Sequence, residues 1–165
     1  MAGYLAGDVD KWIYIDIADQ HEDSMRFIRD CEKAIGKEIE VLRSTEYGCV
    51  EECVRAFGGF RCAGNGFAPC TNWLKKRVRK QWEQEHKQYD LIYVWGFDLR
   101  ERNRAERTLE SNPQAEHEFP LIDRNLSKEE VHGLFERTFS FPRPKMYDLG
   151  YPNNNCIGCV KGGMG

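Results

Sequence analysis

Trp12-Ile-Tyr-Ile-Asp-Ile17 is a short β-rich run that, with the residues after it, sets the fold class. From Glu22 to Ile35 apolar residues recur at helical spacing, and Gly36 stands where a helix C-terminal cap belongs. Glu38-Ile-Glu-Val-Leu42 then has the composition of a second strand. A strand, a helix and a second strand in series predict parallel pairing with a right-handed crossover.

The rest of the chain continues this alternation. We expect helices over 49–57 and 70–82, a glycine-rich loop over 58–69, a strand over 89–96, and a helix from the Ser127-x-x-Glu130 capping box to about Thr138. The alternation predicts an α/β fold, a three-layer, mostly parallel sheet with helices on both faces, formed by residues 1–165 as one domain. Ligands of such folds bind outside the carboxyl ends of the strands, so one crevice is expected to contain Asp16, Asp19, Asp98 and Arg100.

The composition narrows the class of protein. The 165 residues suit one domain, and a net charge of -3 gives no overall attraction to nucleic acid or an anionic membrane. No apolar run approaches the roughly eighteen residues of a membrane span, and the N-terminal residues do not resemble a signal peptide. We therefore expect a cytoplasmic protein with no membrane partner. In that reducing compartment, the seven cysteines are expected to be thiols or ligands.

Three cysteines form the leading candidate site. Cys156 and Cys159 are separated by Ile157-Gly158, a spacing that zinc sites and redox pairs share, and Cys70 is a third thiol far upstream. Soft sulfur ligands favour zinc or an iron–sulfur cluster over magnesium or calcium. Cys62, in the glycine-rich loop, is the natural fourth ligand. The alternative is that these cysteines pack as small hydrophobic residues.

Two basic clusters are candidate anion sites. Arg100-Glu-Arg-Asn-Arg-Ala-Glu-Arg107 follows the predicted strand over 89–96, where an anionic ligand is expected, and arginine matches phosphate or sulfate geometry. The interleaved glutamates favour the alternative of a solvated, salt-bridged helix. Lys75-Lys-Arg-Val-Arg-Lys80 has the same alternative and could also contact a nucleic-acid backbone.

Several motifs together resemble the phosphoadenosine phosphosulfate reductase family, in the PP-loop group of adenine-nucleotide α-hydrolase-like proteins. The most specific is Tyr147-Asp-Leu-Gly-Tyr151 followed by the Cys156/Cys159 pair, which is similar to the family's Leu-Tyr-x-x-Gly-Tyr stretch and cysteine pair. Further segments resemble the family's motifs in the same order: Tyr14-Ile-Asp16-Ile-Ala-Asp19, Cys70-Thr-Asn-Trp-Leu-Lys75, Gly96-Phe-Asp-Leu-Arg100 through Arg104, and Pro120-Leu-Ile-Asp123.

The resemblance implies a set of site residues. Nucleotide or anion contacts are expected from Asp16, Asp19, Lys75, Gly96, Asp98, Arg100, Arg102 and Arg104. A four-iron cluster is expected on Cys70, Cys156 and Cys159, with zinc as the alternative. Pro69 replaces one cysteine of the family's tandem pair, so the fourth ligand is Cys62, a substrate atom, or nothing.

The implied activity is sulfonucleotide reduction or sulfur transfer on an adenylylated or phosphosulfate substrate. Partners would be an adenine nucleotide or sulfonucleotide and a thiol or sulfur donor protein. The family's Ser-Gly-Gly-x-x-Ser phosphate loop and its C-terminal catalytic Cys have no counterpart, which predicts a truncated or shortened member. The alternatives are an inactive, metal-stabilised binding or accessory module, or a component of RNA or DNA sulfur modification.

Overall fold

The computed structural model describes residues 1–60 and 68–159, which divide into two compact units. Unit 1 is formed by Met1–Asp10 with Gln88–Arg143, and unit 2 by Lys11–Lys87 with Pro144–Gly165. Each unit is therefore assembled from two separate segments of the chain. That all of it forms one domain stays a prediction.

The described elements alternate between helices and short strands. In chain order they are α1 (Ala2–Ala6), β1 (Trp12–Ile15), α2 (Asp23–Ile35), β2 (Ile39–Leu42), α3 (Val50–Ala56), α4 (Pro69–Thr71), a π-helical segment (Asn72–Lys76), α5 (Arg77–Glu85), β3 (Ile92–Val94), a 3₁₀ turn (Leu99–Glu101), α6 (Arg102–Ser111), β4 (Glu116–Glu118), α7 (Pro120–Asp123), α8 (Lys128–Thr138) and α9 (Lys145–Asp148). No helix among the described residues is long and apolar enough to cross a membrane.

In unit 2, β1 and β2 form a parallel pair joined through α2, as the sequence predicts. The register runs from Trp12 opposite Ile39 to Ile15 opposite Leu42. Gly36 ends α2 in the left-handed conformation at φ +70°, and its N–H donates to the Glu32 carbonyl at 2.8 Å. A glycine at this cap avoids the steric cost that a Cβ would bring.

The predicted helix over 70–82 forms, but with a wider turn in its first half. Pro69 opens it at a position where no N–H is needed, and the Arg77 N–H bonds the Asn72 carbonyl five residues back. Its predicted apolar face, Leu74, Val78 and Trp82, is buried. The Trp82 indole N–H also donates to a Glu40 carboxylate oxygen at 3.1 Å, which fixes α5 against β2.

The core of unit 2 contains two cysteines of the predicted metal site. Ile17, Cys53 and Leu74 form its buried centre. Half-buried side chains pack around this centre, among them Cys70 and Cys156. These two thiols therefore face the unit's interior, which is the environment that the packing alternative describes.

In unit 1, β3 and β4 form a second parallel pair, with Ile92 opposite Glu116 and Val94 opposite Glu118. The strand predicted over 89–96 is only Ile92–Val94, and within the described residues it pairs with β4 alone. Tyr89 is 62% exposed and Ile92 54%, so the apolar run marks a strand but not the middle of a sheet. The described architecture is mixed α/β with two-stranded parallel pairs.

The helix predicted from Ser127 is confirmed with its capping box. The Ser127 hydroxyl accepts from the Glu130 N–H at 3.3 Å, and the Glu130 carboxylate accepts from the Ser127 N–H at 2.7 Å. Because this pair satisfies two backbone donors at the start of α8, the local sequence fixes the helix boundary.

Candidate functional site

The Cys156–Cys159 segment is a tight turn. The Cys159 N–H donates to the Cys156 carbonyl at 3.1 Å, and Gly158 has φ +70°. A positive φ at the third residue of a four-residue turn defines type II, where glycine is favoured because it lacks a Cβ. The turn brings the two cysteine backbones within about 7 Å of each other.

This cysteine turn attaches to the loop that follows β1. The Ile157 N–H donates to the Asp19 carbonyl at 2.8 Å, and Cys156 forms an isolated antiparallel bridge with Gln20. The Asn154 side-chain amide donates to the Ser24 hydroxyl at 3.3 Å. The C-terminal segment of unit 2 is therefore held at the exit of β1, where the α/β pattern predicts ligand sites.

A small cavity opens between the cysteine turn and the start of the helix at Pro69. Its volume is about 80 Å³. Three of the four predicted metal ligands line it, with Lys75 and Asp19; the lining residues are Ile17, Asp19, Val50, Phe60, Ala68, Cys70, Thr71, Lys75, Cys156, Ile157, Gly158 and Cys159. The structure thus brings together Cys70, Cys156 and Cys159, while Cys62 lies outside the described residues.

Burial favours the neutral form of the Cys156 thiol at this cavity. Burial raises the pKa of Cys156; the nearby Lys75 ammonium opposes the rise, and Cys159, Asp19 and Cys70 add to it. Burial, with a smaller effect from Cys70, raises the pKa of Cys53 to about 11. A bound cation would reverse this preference, because metal ligation requires the thiolate.

The cavity's donors have the chemistry of a soft-metal site. Three cysteines and one aspartate line it, and soft sulfur favours zinc or an iron–sulfur cluster. Across residues 1–60 and 68–159, no three His, Cys, Asp or Glu side chains are grouped to hold one metal ion. Thiolates on a single zinc lie about 3.8 Å apart, from a Zn–S distance of about 2.3 Å and tetrahedral geometry. The cysteines of a cluster bind different irons, so they stand farther apart.

The two aspartates predicted to border the nucleotide crevice have structural partners. An Asp19 carboxylate oxygen accepts from the Val50 N–H at 2.7 Å and so caps α3. Asp16 binds Arg43 through a 2.8 Å hydrogen bond to Nε and a 2.7 Å ion pair with Nη2. Asp19 lines the cavity, and Asp16 lies at the end of β1. Their predicted nucleotide contacts stay predictions.

The predicted anion-binding arginines belong to unit 1 and bind neighbours there. Arg100 pairs with Glu129 at 3.1 Å, Arg102 donates to Asn125 at 2.9 Å, and Arg104 pairs with Glu101 at 2.7 Å. Gly96 lies between β3 and the 3₁₀ turn at Leu99–Glu101. Asp98 caps the 3₁₀ turn by accepting from the Arg100 N–H at 2.8 Å. These contacts are those of the salt-bridged alternative.

Sequence reasoning missed two residues that shape the site. The Gln20 amide oxygen accepts from the Tyr14 hydroxyl at 2.6 Å and from the Ile17 N–H at 3.2 Å, which holds the loop carrying Asp19. Arg43 neutralises Asp16. No local motif marks Gln20. The position of Arg43 after the predicted second strand was the available signal, since parallel strands end at one edge.

Comparison with known proteins adds no assignment: no family model, no curated protein and no solved structure matches this chain.

Proposed function

We propose that unit 2 carries a cysteine-ligated iron–sulfur centre, and that the chain is a sulfonucleotide reductase-like or sulfur-transfer protein acting on an adenylylated or phosphosulfate substrate. The observation that carries the proposal is the meeting of Cys70, Cys156 and Cys159 at one cavity. These residues come from distant parts of the sequence. The resemblance to the phosphoadenosine phosphosulfate reductase family assigns the same three cysteines to one cluster site. The three-layer, mostly parallel sheet of that family is part of the proposal, and the parallel pairing within β1–β2 and within β3–β4 supports it.

The chain's own residues would prepare this centre in three ways. The type II turn presents Cys156 and Cys159 from one side, and α4 presents Cys70 from the other. Lys75 places a positive charge beside Cys156, which favours thiolates and a bound anion. The apolar lining from Ile17, Val50 and Phe60 limits water. When bound, an iron–sulfur cluster supplies one-electron chemistry or a site for sulfur.

The substrate side of the proposal rests on Arg100, Arg102 and Arg104, which belong to unit 1. Each of these arginines already has a partner in unit 1, but the Arg100–Glu129 pair is about two-thirds exposed on both sides. Exposed pairs contribute about 1 kcal/mol or less, so a phosphate or sulfate competes with the glutamate at little cost.

The specific observation behind a second candidate is that all three arginines are engaged. Arginines that bond only neighbouring side chains of the same surface, and no substrate, are consistent with a metal-stabilised binding or accessory module without turnover. In that case the metal stabilises unit 2, because ligands that bind the folded state raise its stability by mass action.

Anaerobic purification with metal and sulfide analysis tests the centre. We expect iron and acid-labile sulfide in equal amounts with a broad visible absorption, and loss of both in Cys156→Ser. Cys31→Ser is the matched control, because Cys31 is a half-buried cysteine on α2 outside the cavity. Colourless protein with stoichiometric zinc would exclude iron–sulfur. Unchanged iron in Cys156→Ser would remove that residue from the site.

Titration calorimetry with adenylyl sulfate separates the two candidates. A substrate-binding enzyme should show saturable binding that Arg100→Ala weakens about tenfold, the effect of one charged hydrogen bond of about 1.4 kcal/mol. Glu129→Ala, which frees the same arginine, should not weaken it. Metal-loaded protein that binds no adenylylated compound would favour the accessory module.

A further inference from the structure

The cysteine turn has the geometry of a reversible disulfide as well as of a ligand pair. Cα atoms within about 7 Å overlap the 4.4–6.8 Å range that disulfides require. The turn's hydrogen bond and the Ile157–Asp19 bond hold this separation before any sulfur bond forms. Because the loop contains only Ile157 and Gly158, little chain entropy is lost on closure.

Cys53 and Cys70 are less suited to form this bond. Cys53 is completely buried, so an oxidant in solution cannot reach it. Cys70 is on α4, far in sequence from both cysteines of the turn, so no short loop joins it to either of them. Ile157 and Gly158 are exposed and the two cysteines are half-buried, so the turn is open to solvent along one side.

We propose that Cys156 and Cys159 form a dithiol–disulfide couple which exchanges with low-molecular-mass disulfides, and that its oxidised form prevents metal uptake at the cavity. The second part rests on the proposed function, since it concerns the same three thiols. A disulfide that closes a loop of only two intervening residues is strained and readily reduced, which makes the bond labile rather than structural.

The exchange balances with oxidised glutathione as the oxidant. The Cys159 thiolate attacks one glutathione sulfur, forms a mixed disulfide and expels one glutathione thiolate. Cys156 then loses its proton, attacks the Cys159 sulfur and expels the second glutathione. The protein pair gives up two protons and two electrons, and oxidised glutathione becomes two thiols. Cys159 begins the sequence because Cys156 packs against the core.

Oxidation removes two of the three sulfur donors at once. A disulfide sulfur is not a thiolate ligand, so only Cys70 would remain among the described thiols of the cavity. Metal and oxidant therefore compete for the same two atoms. A bound metal should protect both cysteines from alkylation, and the disulfide should prevent metal from binding.

The test uses the full chain, stripped of metal by a chelator under reducing conditions and then equilibrated in glutathione buffers. After quenching with N-ethylmaleimide, the tryptic peptide over 146–161 carries both cysteines. We expect less than a tenth of it as the intrapeptide disulfide in reduced glutathione and more than nine-tenths in oxidised glutathione, reversed by dithiothreitol. Cys31→Ser should behave as the parent does. Both cysteines still alkylated in oxidised glutathione, or a Cys70–Cys156 crosslink, would overturn the proposal.

Two further readouts complete the experiment. Cys156→Ser should accumulate glutathione on Cys159 several-fold faster than Cys159→Ser does on Cys156, and the reverse order would contradict the assigned attack. Iron and zinc uptake by the oxidised chain should fall at least tenfold relative to the reduced chain, and equal uptake would overturn the competition. Because the disulfide is read on metal-free protein, it remains measurable if the reduced chain binds no metal, which would count against the proposed function instead.

Discussion

Asp23 links the start of α2 to the C-terminal segment that carries the cysteine turn, and its charge should set part of the acid stability of unit 2. One carboxylate oxygen accepts from the Lys145 N–H at 2.8 Å, and the other pairs with the Arg26 Nε at 2.7 Å. The hydrogen bond from Arg26 is the largest cause that lowers the pKa of Asp23, from 3.8 to about 2. The carboxylate is 19% exposed and the arginine 32%.

The magnitude follows from the pKa shift. A change of nearly two pKa units corresponds to about 2.5 kcal/mol at most, and solvent screening of a partly exposed pair reduces this to about 1 kcal/mol. Because the pKa is depressed in the folded state, this stability is fully present above pH 3.8 and is lost as the pH falls toward about 2. Asp23→Asn keeps an acceptor for the Lys145 N–H and removes the charge.

We expect Asp23→Asn to lower the free energy of unfolding by about 1 kcal/mol at pH 7, measured by urea denaturation with tryptophan fluorescence. The difference from the parent chain should shrink between pH 4 and pH 2, where the parent carboxylate also becomes neutral. Carboxyl-carbon NMR should give a midpoint near pH 2 for Asp23. Asp30→Asn is the control. It removes the charge of the second carboxylate that pairs with Arg26, and it leaves the hydrogen bond from the Lys145 N–H to Asp23 in place. A constant difference between parent and variant across pH 2–7 would refute the reasoning.

Three other predictions concern a histidine tautomer, a core leucine and the glycine of the cysteine turn. In unit 1, the Trp95 indole N–H donates to His117 Nδ1 at 2.9 Å, and His117 Nε2 lies 3.1 Å from the Asn112 carbonyl. Because Nδ1 accepts, Nε2 should carry the proton, and NMR of the ring nitrogens should find this tautomer. Equal protonation of both nitrogens would contradict the prediction. Leu74→Ala should cost about 2–5 kcal/mol in urea unfolding, since Leu74 is 2% exposed at the centre of unit 2, whereas the same change at exposed Leu149 should cost less than about 1 kcal/mol. Gly158→Ala should cost about 1–2 kcal/mol and reduce metal loading of the purified chain, because alanine is strained at φ +70°; full loading would show that the type II turn is not needed.

The sequence was informative wherever structure is specified locally. The apolar spacing of Glu22 to Ile35 and the cap at Gly36 predicted α2, and the Ser127–Glu130 capping box predicted the start of α8. The strand predicted over 89–96 was too long, because apolar composition does not report how many neighbours a strand has. Propensity indicates that a segment is extended, while hydrogen-bonded partners determine where it ends.

For the candidate site, the sequence singled out three cysteines that lie at one cavity, but it did not indicate the environment of their thiols. Cys70, Cys156 and Cys159 do line one cavity. Their burial, and the use of Asp19 as the cap of α3, could not be predicted, because both depend on contacts between residues far apart in sequence. A carboxylate that follows a strand looks the same in a sequence whether it binds a ligand or a backbone N–H. Only the partner at Val50 distinguishes these roles.

The discontinuous make-up of unit 2 also affects when its cavity can form. Lys11–Lys87 leaves the ribosome well before Pro144–Gly165, and all of Gln88–Arg143 is synthesised between them. Until the second segment arrives, Asp19 has no Ile157 N–H to accept from, and one wall of the cavity is missing. Contacts this distant in sequence form slowly, since a long loop must close first. The cavity should therefore close late, after Cys53 and Cys70 have already begun to pack with Ile17 and Leu74.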